Sequence, residues 1–162
     1  MKNNQKNIPD GWTKVMLRDA ADFLDNQRVP IESDERSKRR GVYPYYGASG
    51  VIDFIDDYLF DGEFILLGED GANILDRSSP LAFKAKGKIW VNNHAHVLRV
   101  KNNVKLHFLS EYLESLDYKK YNTGSAQPKL NRAVCEKILV ILPSLPEQNR
   151  IVGVLETWDR AI

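Results

Sequence analysis

The sequence contains a single cysteine and no apolar run long enough to cross a membrane. Because one cysteine cannot form an internal bridge, Cys135 excludes a disulfide framework and a cysteine-rich zinc site. Residues 1–6 also lack the apolar core of a signal peptide. A chain of 162 residues with a hydrophobic share of 43% is expected to form one domain with its own core. We therefore expect a cytoplasmic protein without a membrane segment.

Basic residues are also missing from one stretch of the chain. Residues 41–76 include eight acidic residues and no Lys or Arg, although the whole chain has a net charge of +1. The rest of the chain holds 23 basic against 14 acidic residues. This asymmetry indicates an anion-facing surface outside residues 41–76. The sequence pI of about 7.8 is nevertheless lower than is typical of a protein that binds nucleic acid through net charge alone.

Apolar patterning in several segments predicts strands. Residues 13–17 alternate as a half-buried strand would, and residues 138–142 are a continuous apolar run typical of a strand covered on both faces. Residues 63–67 form another apolar strand, and the Asp61-Gly62 pair before them predicts the tight turn of a hairpin. Residues 18–24 are predicted to form two helical turns instead.

Two longer helices are predicted in the last third of the chain. Leucines recur at helical spacing between residues 105 and 118, so this segment is expected to be an amphipathic helix that covers the core. Ser144 and Glu147 have the spacing of a capping box, which predicts a helix from about Leu145 onwards. That helix carries a coiled-coil seam, so we expect it to continue in a longer helix or to pair with another subunit. The seam residues are Ile151, Leu155, Trp158 and Ile162.

Two polar segments follow the early strands. Tyr45 and Tyr46 form either an aromatic edge of the core or a pair that stacks on, or hydrogen-bonds to, a nucleotide. Glu69 and Asp70 lie on a glycine-flanked loop directly after an apolar strand. Their carboxylates could accept a hydrogen bond from the exocyclic amine of cytosine, and Asn73 could pair with adenine.

His94 and His96 are two residues apart, which places both imidazoles on one face of a strand and allows a metal site with Asp70. A metal-dependent hydrolase that uses these three residues is therefore an alternative. A cupin-type site, however, needs a Glu four or five residues after the second His, where this sequence has Val100 and Lys101. We favour a hydrogen-bonded histidine pair that holds neighbouring loops, and contact with DNA is a further option.

The segment 123–131 is rich in side chains that can hydrogen-bond a flat polar edge, and Gly124 and Pro128 fix its course. Ser125 and Gln127 are its candidates for reading a base edge, although Gln127 could instead tie the loop to the sheet. Basic side chains predict contacts with phosphates, and the run at residues 36–40 could equally be a solvated loop. The phosphate candidates are Arg36, Lys38, Arg39, Arg40, Lys119, Lys120 and Lys129.

Six segments together carry a resemblance to a known family. They are Ile8-Pro-Asp-Gly-Trp12 with Leu17, Tyr45-Tyr-Gly-Ala-Ser-Gly50, Gly68-Glu-Asp-Gly-Ala-Asn73, Trp90-Val-Asn-Asn-His-Ala-His-Val97, Thr123-Gly-Ser-Ala-Gln-Pro-Lys-Leu130 and Leu142-Pro-Ser-Leu-Pro-Glu-Gln-Asn-Arg-Ile151. In this order, and over nearly the whole chain, they resemble one target recognition domain of the DNA-specificity (S) subunits of type I restriction-modification systems.

This resemblance implies an α/β fold in which residues 1–143 form a twisted mixed β-sheet domain with flanking helices. Residues 144–162 would begin the helix that serves as a coiled-coil spacer and dimerisation element. The domain would read one half of a bipartite sequence in double-stranded DNA beside methyltransferase (M) and restriction (R) subunits. Because family members usually carry two recognition domains, a second domain or a second copy is expected to pair through the C-terminal helix. The base-reading candidates are Tyr45, Tyr46, Asn73, Ser125 and Gln127.

The enzymatic steps of that family belong to the partner subunits, and the sequence agrees. It has no glycine-rich loop for S-adenosylmethionine, no Asn-Pro-Pro-Tyr-like motif and no P-loop. We therefore expect DNA binding without catalysis, cofactor or metal. Besides the hydrolase, the other alternative is a protein-interaction module whose helical seam docks a partner without DNA.

Overall fold

The computed structural model describes residues 8–161. In chain order, its strands and α-helices are β1 (Thr13–Met16), α1 (Leu17–Ala20), β2 (Ala21–Phe23), α2 (Ser33–Arg36), β3 (Arg40–Gly47), β4 (Gly50–Ile55), β5 (Phe60–Gly68), α3 (Asn73–Asp76), β6 (Ala82–Val91), β7 (Ala95–Val100), α4 (Leu106–Glu114), α5 (Arg132–Cys135), β8 (Leu139–Leu142) and α6 (Leu145–Ala161). Short 3₁₀ turns at Asp25–Gln27 and Lys119–Tyr121 follow β2 and α4.

A six-stranded mixed sheet forms the centre of the domain. Its strand order is β2-β7-β5-β6-β3-β4. Neighbouring strands are antiparallel except β3 and β6, which run parallel, with Tyr45 facing Trp90 and Tyr46 facing Val91. β1 and β8 form a separate two-stranded antiparallel ribbon. The mixed α/β architecture that the sequence predicted is confirmed.

The sheet is covered on both faces, as the side chains of β5 show. Ile65 and Leu67 belong to the main core cluster, which also contains Leu109 of α4. Phe64 and Leu66 alternate with them and join a second buried cluster, because successive side chains of a strand point to opposite faces. The predicted amphipathic helix therefore covers the core as expected.

The hairpin predicted at Asp61-Gly62 is wrong. Both residues lie inside β5, whose pairing with β6 continues on either side of them. Gly62 lies opposite Gly87, and both glycines have positive φ, 148° and 84°. The pairing register runs through both glycines without a shift, so neither of them ends its strand. The hairpin turn instead joins β3 to β4, where Gly47 faces Gly50.

Two other predictions fail in part. Of the predicted helical segment 18–24, only α1 is helical, and the following residues form β2 at the edge of the sheet beside β7. The apolar run 138–142 is not covered on both faces, since Leu139 is 44% exposed. The reason is that β8 lies in the two-stranded ribbon rather than inside the central sheet, so one of its faces is open.

The C-terminal helix begins at the predicted residue. α6 starts at Leu145, and the carbonyl oxygen of Ser144 accepts hydrogen bonds from the backbone N–H groups of Glu147 and Gln148. The Glu147 carboxylate, which was expected to close a capping box, instead accepts a hydrogen bond of 3.0 Å from the indole N–H of Trp12. Within the described range, no helix is long and apolar enough to span a membrane.

Candidate nucleic-acid interface

Four loops converge beside the carboxyl ends of β3 and β5. They are the β3–β4 turn, the loop after β5, the turn between β6 and β7, and the loop 122–130. Backbone hydrogen bonds connect three of them at Glu69, whose N–H donates to the His94 carbonyl (2.8 Å) and whose carbonyl accepts from the Leu130 N–H (2.7 Å). Four of the six segments that carry the family resemblance therefore lie side by side.

The β3–β4 turn packs directly against the end of β5, at a contact that only glycine allows. A Cβ atom on Gly68 would lie 2.8 Å from the carbonyl oxygen of Ala48 and 2.9 Å from a methyl carbon of Leu81. Neither distance is tolerated by real side chains, so a larger residue would push the turn away. Gly68 therefore sets how closely these two loops approach.

Three of these loops, all except the loop 122–130, enclose an open pocket of about 390 Å³. The pocket is lined by both apolar and polar residues, so it can face a flat group that has both apolar and hydrogen-bonding edges. The lining residues without a polar side chain are Gly47, Ala48, Ile52, Gly71 and Ala72, and the polar ones are Ser49, Asp70, Asn73, Asn92 and His94.

The pocket lining contains a histidine held by a carboxylate. Nδ1 of His94 lies 2.9 Å from both carboxylate oxygens of Asp70, and the His94 side chain is 50% exposed. Its backbone N–H donates to the side-chain oxygen of Asn92 (2.8 Å). The sequence left the role of His94 open between loop support and DNA contact, and the structure gives it a fixed ring beside the pocket.

His96, by contrast, is fully buried and joins loops that are distant in sequence. Its Nδ1 lies 2.7 Å from an Asp25 carboxylate oxygen, and its Nε2 lies 2.8 Å from the Leu130 carbonyl oxygen. Because both partners are acceptors, both ring nitrogens must carry a proton. Burial by itself would lower the pKa of His96, but the hydrogen bond to Asp25 helps to raise it to about 10. The same contact lowers the pKa of Asp25 against the effect of burial.

The metal-dependent alternative requires Asp70, His94 and His96 at one site, but these residues are divided between two. Asp70 holds His94, whereas His96 lies beside Asp25 and Glu69. Within residues 8–161, the potential ligand atoms of Asp25, Glu69 and His96 lie close enough together to hold a metal ion. Arg28 already donates to the Glu69 carboxylate at 2.8 Å and lies 3.7 Å from Asp25. The carboxylates are thus neutralised by Arg28 and the imidazolium of His96, and this set serves as a clamp between loops.

Three base-reading candidates from the sequence have structural contacts. Tyr45 is 1% exposed, and its hydroxyl oxygen accepts the backbone N–H of Ile31 at 3.0 Å. The amide of Asn73 closes its own loop, since it donates to the Ser79 carbonyl and accepts from the Ser79 N–H, both at 3.0 Å. Tyr46 is half-buried with its ring stacked on Phe83, and burial raises the pKa of its hydroxyl.

The loop 122–130 is fixed from within by Asn122, which sequence reasoning missed. Its side-chain oxygen accepts the N–H groups of Gly124 (3.0 Å) and Lys129 (2.8 Å), and its amide donates to the Gly124 carbonyl (3.2 Å). The only signal in the sequence was an Asn at the start of a Gly- and Pro-containing loop. Asn122 therefore closes the loop on itself, and Ser125 and Gln127 are exposed at its tip.

The phosphate candidates divide into two groups. Arg36 pairs with Asp53 (3.2 Å), and Arg39 pairs with Asp56 (2.9 Å). Lys38 and Arg40 are exposed, but β3 begins at Arg40 and ends beside the pocket, so this basic run lies at the other end of the strand. The second group, Lys119, Lys120 and Lys129, is exposed. Lys119 and Lys120 precede the loop 122–130, and Lys129 lies within it, 3.6 Å from a Glu69 carboxylate oxygen.

The predicted seam of α6 is only partly available to a partner. Ile151 packs against the main core cluster of its own domain, and Leu155 is half-buried. Trp158 is 67% exposed and Val154 is 58% exposed. Ile162, the last predicted seam residue, lies outside the described residues.

The fold and the matching family model define the class of protein as a DNA specificity domain. The model described as Type I restriction modification DNA specificity domain matches residues 9–162. The chain therefore belongs to the type I restriction-modification DNA specificity domain family.

Two curated relatives are similar to this chain. It is 35% identical over 140 residues to a putative type I restriction enzyme specificity subunit of Haemophilus influenzae, with 86% of this chain and 35% of the relative covered. It is 26% identical over 125 residues to the EcoprrI specificity subunit of Escherichia coli, with 77% of this chain and 30% of the relative covered. The chain thus spans about a third of the length of these relatives.

Solved structures show the same fold. The crystal structure of the type I restriction-modification S subunit from M. genitalium matches with a TM-score of 0.73 at 17% identity, covering 99% of this chain and 41% of that chain. A structure concerned with complex assembly and conformational transition of the type I R-M system matches with a TM-score of 0.72 at 16% identity, with the same coverage.

Proposed function

We propose that this chain is one target recognition domain of a type I specificity subunit and that it reads one half of a bipartite DNA sequence without catalysing a reaction. The observation that carries this proposal is the convergence of four family-like segments, three of which line one open pocket with both apolar and polar residues. Loops held by a rigid sheet are a usual place for recognition. In the whole assembly, methyltransferase and restriction subunits would dock alongside, in the cytoplasm.

Base reading is assigned to exposed side chains at the pocket and at the neighbouring loop tip. His94 and Ile52 belong to the pocket walls, and Ser125 and Gln127 are exposed at the tip of the loop 122–130. A polar side chain reads the hydrogen-bonding edge of a base, whereas an apolar one contacts the thymine methyl group. Tyr45 and Asn73 are left out of this set because their polar atoms are occupied within the domain, and half-buried Tyr46 is kept as a candidate beside the pocket.

Phosphate contacts are assigned first to Lys119, Lys120 and Lys129, because they lie just before or within the loop that carries Ser125 and Gln127. Positive side chains at this position would hold the duplex in register while the pocket reads base edges. Lys38 and Arg40 would contact a more distant part of the backbone. Arg36 and Arg39 are only 17% and 28% exposed and pair with carboxylates, so they are assigned to the domain itself. Lys129 also lies 3.6 Å from the Glu69 carboxylate, but its side chain is 49% exposed and can still reach a phosphate.

Residues 1–143 would form the recognition unit and residues 144–162 the start of a spacer helix. The exposed Val154 and Trp158 support a partner helix from a second recognition domain or from a second copy of the chain. We assign no catalytic residue and no cofactor.

Two substitutions in the same loop test the division between readers and phosphate contacts. Gln127→Ala should relax recognition at one base-pair position, since a good bidentate contact is worth about 1–3 kcal/mol of discrimination. Lys129→Ala should weaken binding to every sequence alike and reduce the salt-dependence slope by about 0.9. The measurement is DNA affinity of the full assembly against a set of single-base-pair variants at several salt concentrations.

Matched controls are available away from the pocket, towards the other ends of the strands. Asn102→Ala removes an exposed amide just after the end of β7, and Lys86→Ala removes an exposed charge on β6, opposite Glu63 in the first half of β5. Both should leave affinity and discrimination unchanged. Uniform weakening by Gln127→Ala and Lys129→Ala alike would contradict the assignment. The function itself fails if cells that carry the chain with its methyltransferase partner show no bipartite methylated motif.

A further inference from the structure

Gln148 is a buried amide that connects two segments of the domain, the loop before α4 and the residue after β8, to the first turn of α6. It is 0% exposed. Its side-chain oxygen accepts the backbone N–H of Lys105 at 2.8 Å, and its amide nitrogen donates to the carbonyls of Asn103 (3.1 Å) and Pro143 (2.9 Å). The oxygen and both amide hydrogens thus have partners, and a shift of the helix would leave buried polar groups unpaired.

Further contacts hold the first two turns of α6. Beside Gln148, Glu147 accepts the indole N–H of Trp12 at 3.0 Å, and Ile151 packs against the main core cluster. Val152, the next residue, also packs against this cluster. Contacts at the first turn and at the second turn together fix the direction of a helix, whereas a single contact would leave it free to pivot.

The direction of α6 has a large effect at its far end. From Gln148 to Ala161 the helix rises by about 20 Å, at 1.5 Å per residue. A tilt of about 10° would therefore move the far end by roughly 3.5 Å, which matches the spacing of one base pair along DNA, about 3.4 Å. A small change in this angle is thus enough to move an attached second recognition domain by one base pair.

We propose that Gln148 is the positioning residue of a rigid joint that fixes the direction in which α6 leaves the domain and, through it, the separation of the two DNA half-sites. The geometric part of this inference concerns the chain alone. The half-site part rests on the proposed function. Gln148 acts through the helix and contacts no DNA in this scheme.

The geometric part is tested by a distance measurement between spin labels at two exposed positions, Lys86→Cys on β6 and Arg160→Cys near the end of α6. The unmodified joint should give a single narrow distance distribution. Gln148→Leu, which keeps the volume but removes the amide, should broaden or shift that distribution. Trp12→Phe, which keeps the ring but loses the indole N–H, is a milder variant that decides the test if Gln148→Leu does not fold. Asn149→Ala, an exposed neighbour, should change nothing.

The half-site part is tested in the full assembly by mapping methylated sites in genomic DNA. The joint variants should keep the same bases in each half-site but accept a gap one base pair longer or shorter. The preference for the correct gap should fall about fivefold to tenfold, the factor that one net hydrogen bond is worth.

The two parts fail in distinguishable ways. A broad distribution in the unmodified chain, or an unchanged narrow one in the folded variants, overturns the joint. Uniform loss of methylation with the gap unchanged overturns its role in spacing. Absence of any bipartite motif with the unmodified protein counts against the proposed function, and the distance measurement then decides the joint by itself.

Discussion

His96 carries its positive charge inside the protein, in contact with two oxygen acceptors from distant parts of the chain. One is the Asp25 carboxylate and the other is the Leu130 carbonyl at the end of the loop 122–130. The backbone N–H of Leu130 also donates to the Glu69 carbonyl. Both backbone polar groups of Leu130 are therefore hydrogen-bonded, its N–H to Glu69 and its carbonyl to His96. A buried ion pair of this kind is weak evidence for net stability, but breaking it leaves an uncompensated charge.

Stability should therefore depend on pH in the alkaline range. The pKa of His96 in the folded protein is about 10, above its ordinary value of 6.5. A raised pKa means that the stabilisation is complete below pH 6.5 and is lost as the pH rises towards 10. Urea unfolding across this interval should give a steadily falling free energy of unfolding.

Variants of the two histidines provide the comparison. His96→Leu should abolish the pH dependence and lower the free energy of unfolding by about 3–5 kcal/mol, because Asp25 loses its buried partner. His94→Asn, at a half-exposed position, should keep the dependence. A free energy that stays constant over the interval in the unmodified protein would show that His96 is not held as an imidazolium.

Ile52 lines the pocket and is 55% exposed, so its side chain is available to contact a thymine methyl group. Ile52→Ala should reduce the preference for thymine over uracil at one target position by about fourfold, since one buried methyl group is worth about 0.8 kcal/mol. The measurement compares DNA affinities with uracil placed at each thymine in turn. Phe54→Ala, which is 52% exposed on the same strand but outside the pocket lining, is the control. Equal thymine preference in Ile52→Ala and the unmodified protein would remove Ile52 from the reading set.

At the scale of elements, the loop 122–130 is ordered before it meets any ligand. Asn122 supplies the side-chain bonds that close it, and Gly124 lies so close to the Gln127 carbonyl oxygen that a side chain at this position would collide with it. A pre-ordered loop loses less conformational entropy on binding than a flexible one. The exposed tip residues can therefore discriminate between bases at a low ordering cost.

Asn122→Ala should loosen this loop without unfolding the domain. The backbone N–H groups of Gly124 and Lys129 lose their acceptor in this variant, and each lost hydrogen bond is worth about 1 kcal/mol net. Hydrogen exchange at these two amides should therefore become faster. Base discrimination should fall while the melting temperature changes little. Asn93→Ala, at an exposed position in the turn between β6 and β7, is the matched control. Unchanged exchange at both amides would contradict the closing role of Asn122.

On the scale of the whole molecule, the acidic stretch 41–76 is less segregated than its sequence indicates. Four of its carboxylates pair with Arg or Lys residues from outside the stretch, as Arg28–Glu69, Arg36–Asp53, Arg39–Asp56 and Lys86–Glu63. These pairs neutralise part of the negative charge and use two arginines that the sequence had offered to phosphates. The positive side chains just before and within the loop 122–130 then become the main candidates for contact with DNA.

Association through α6 is the prediction that belongs to this scale. Trp158 is 67% exposed, and burying a large apolar side chain is worth about 1.5–3 kcal/mol. Trp158→Ser should therefore weaken pairing with a second recognition domain or a second copy by about tenfold or more, while the melting temperature of the domain stays unchanged. Sedimentation or co-purification of the assembly measures this, with Arg160→Ala as the control. Undiminished association would place the partner on another surface.

The sequence by itself determined the mixed α/β class, the start of α6, the amphipathic α4 and the family. These features depend on local periodicity, on residues a few positions apart and on ordered motif segments, all of which are visible along the chain. The hairpin at Asp61-Gly62 was mispredicted because a local turn signal was overridden by pairing with β6 across the sheet.

Only the tertiary structure decided which polar side chains are free to meet a ligand. Tyr45, Asn73, Arg36 and Arg39 have the right chemistry for DNA, but each is already engaged by groups within the domain. Conversely, the clamp of His96 joins Asp25 and Leu130, which lie 71 and 34 positions away. Separations of this length are fixed by the way the sheet folds back on itself, and no local pattern in the sequence records them.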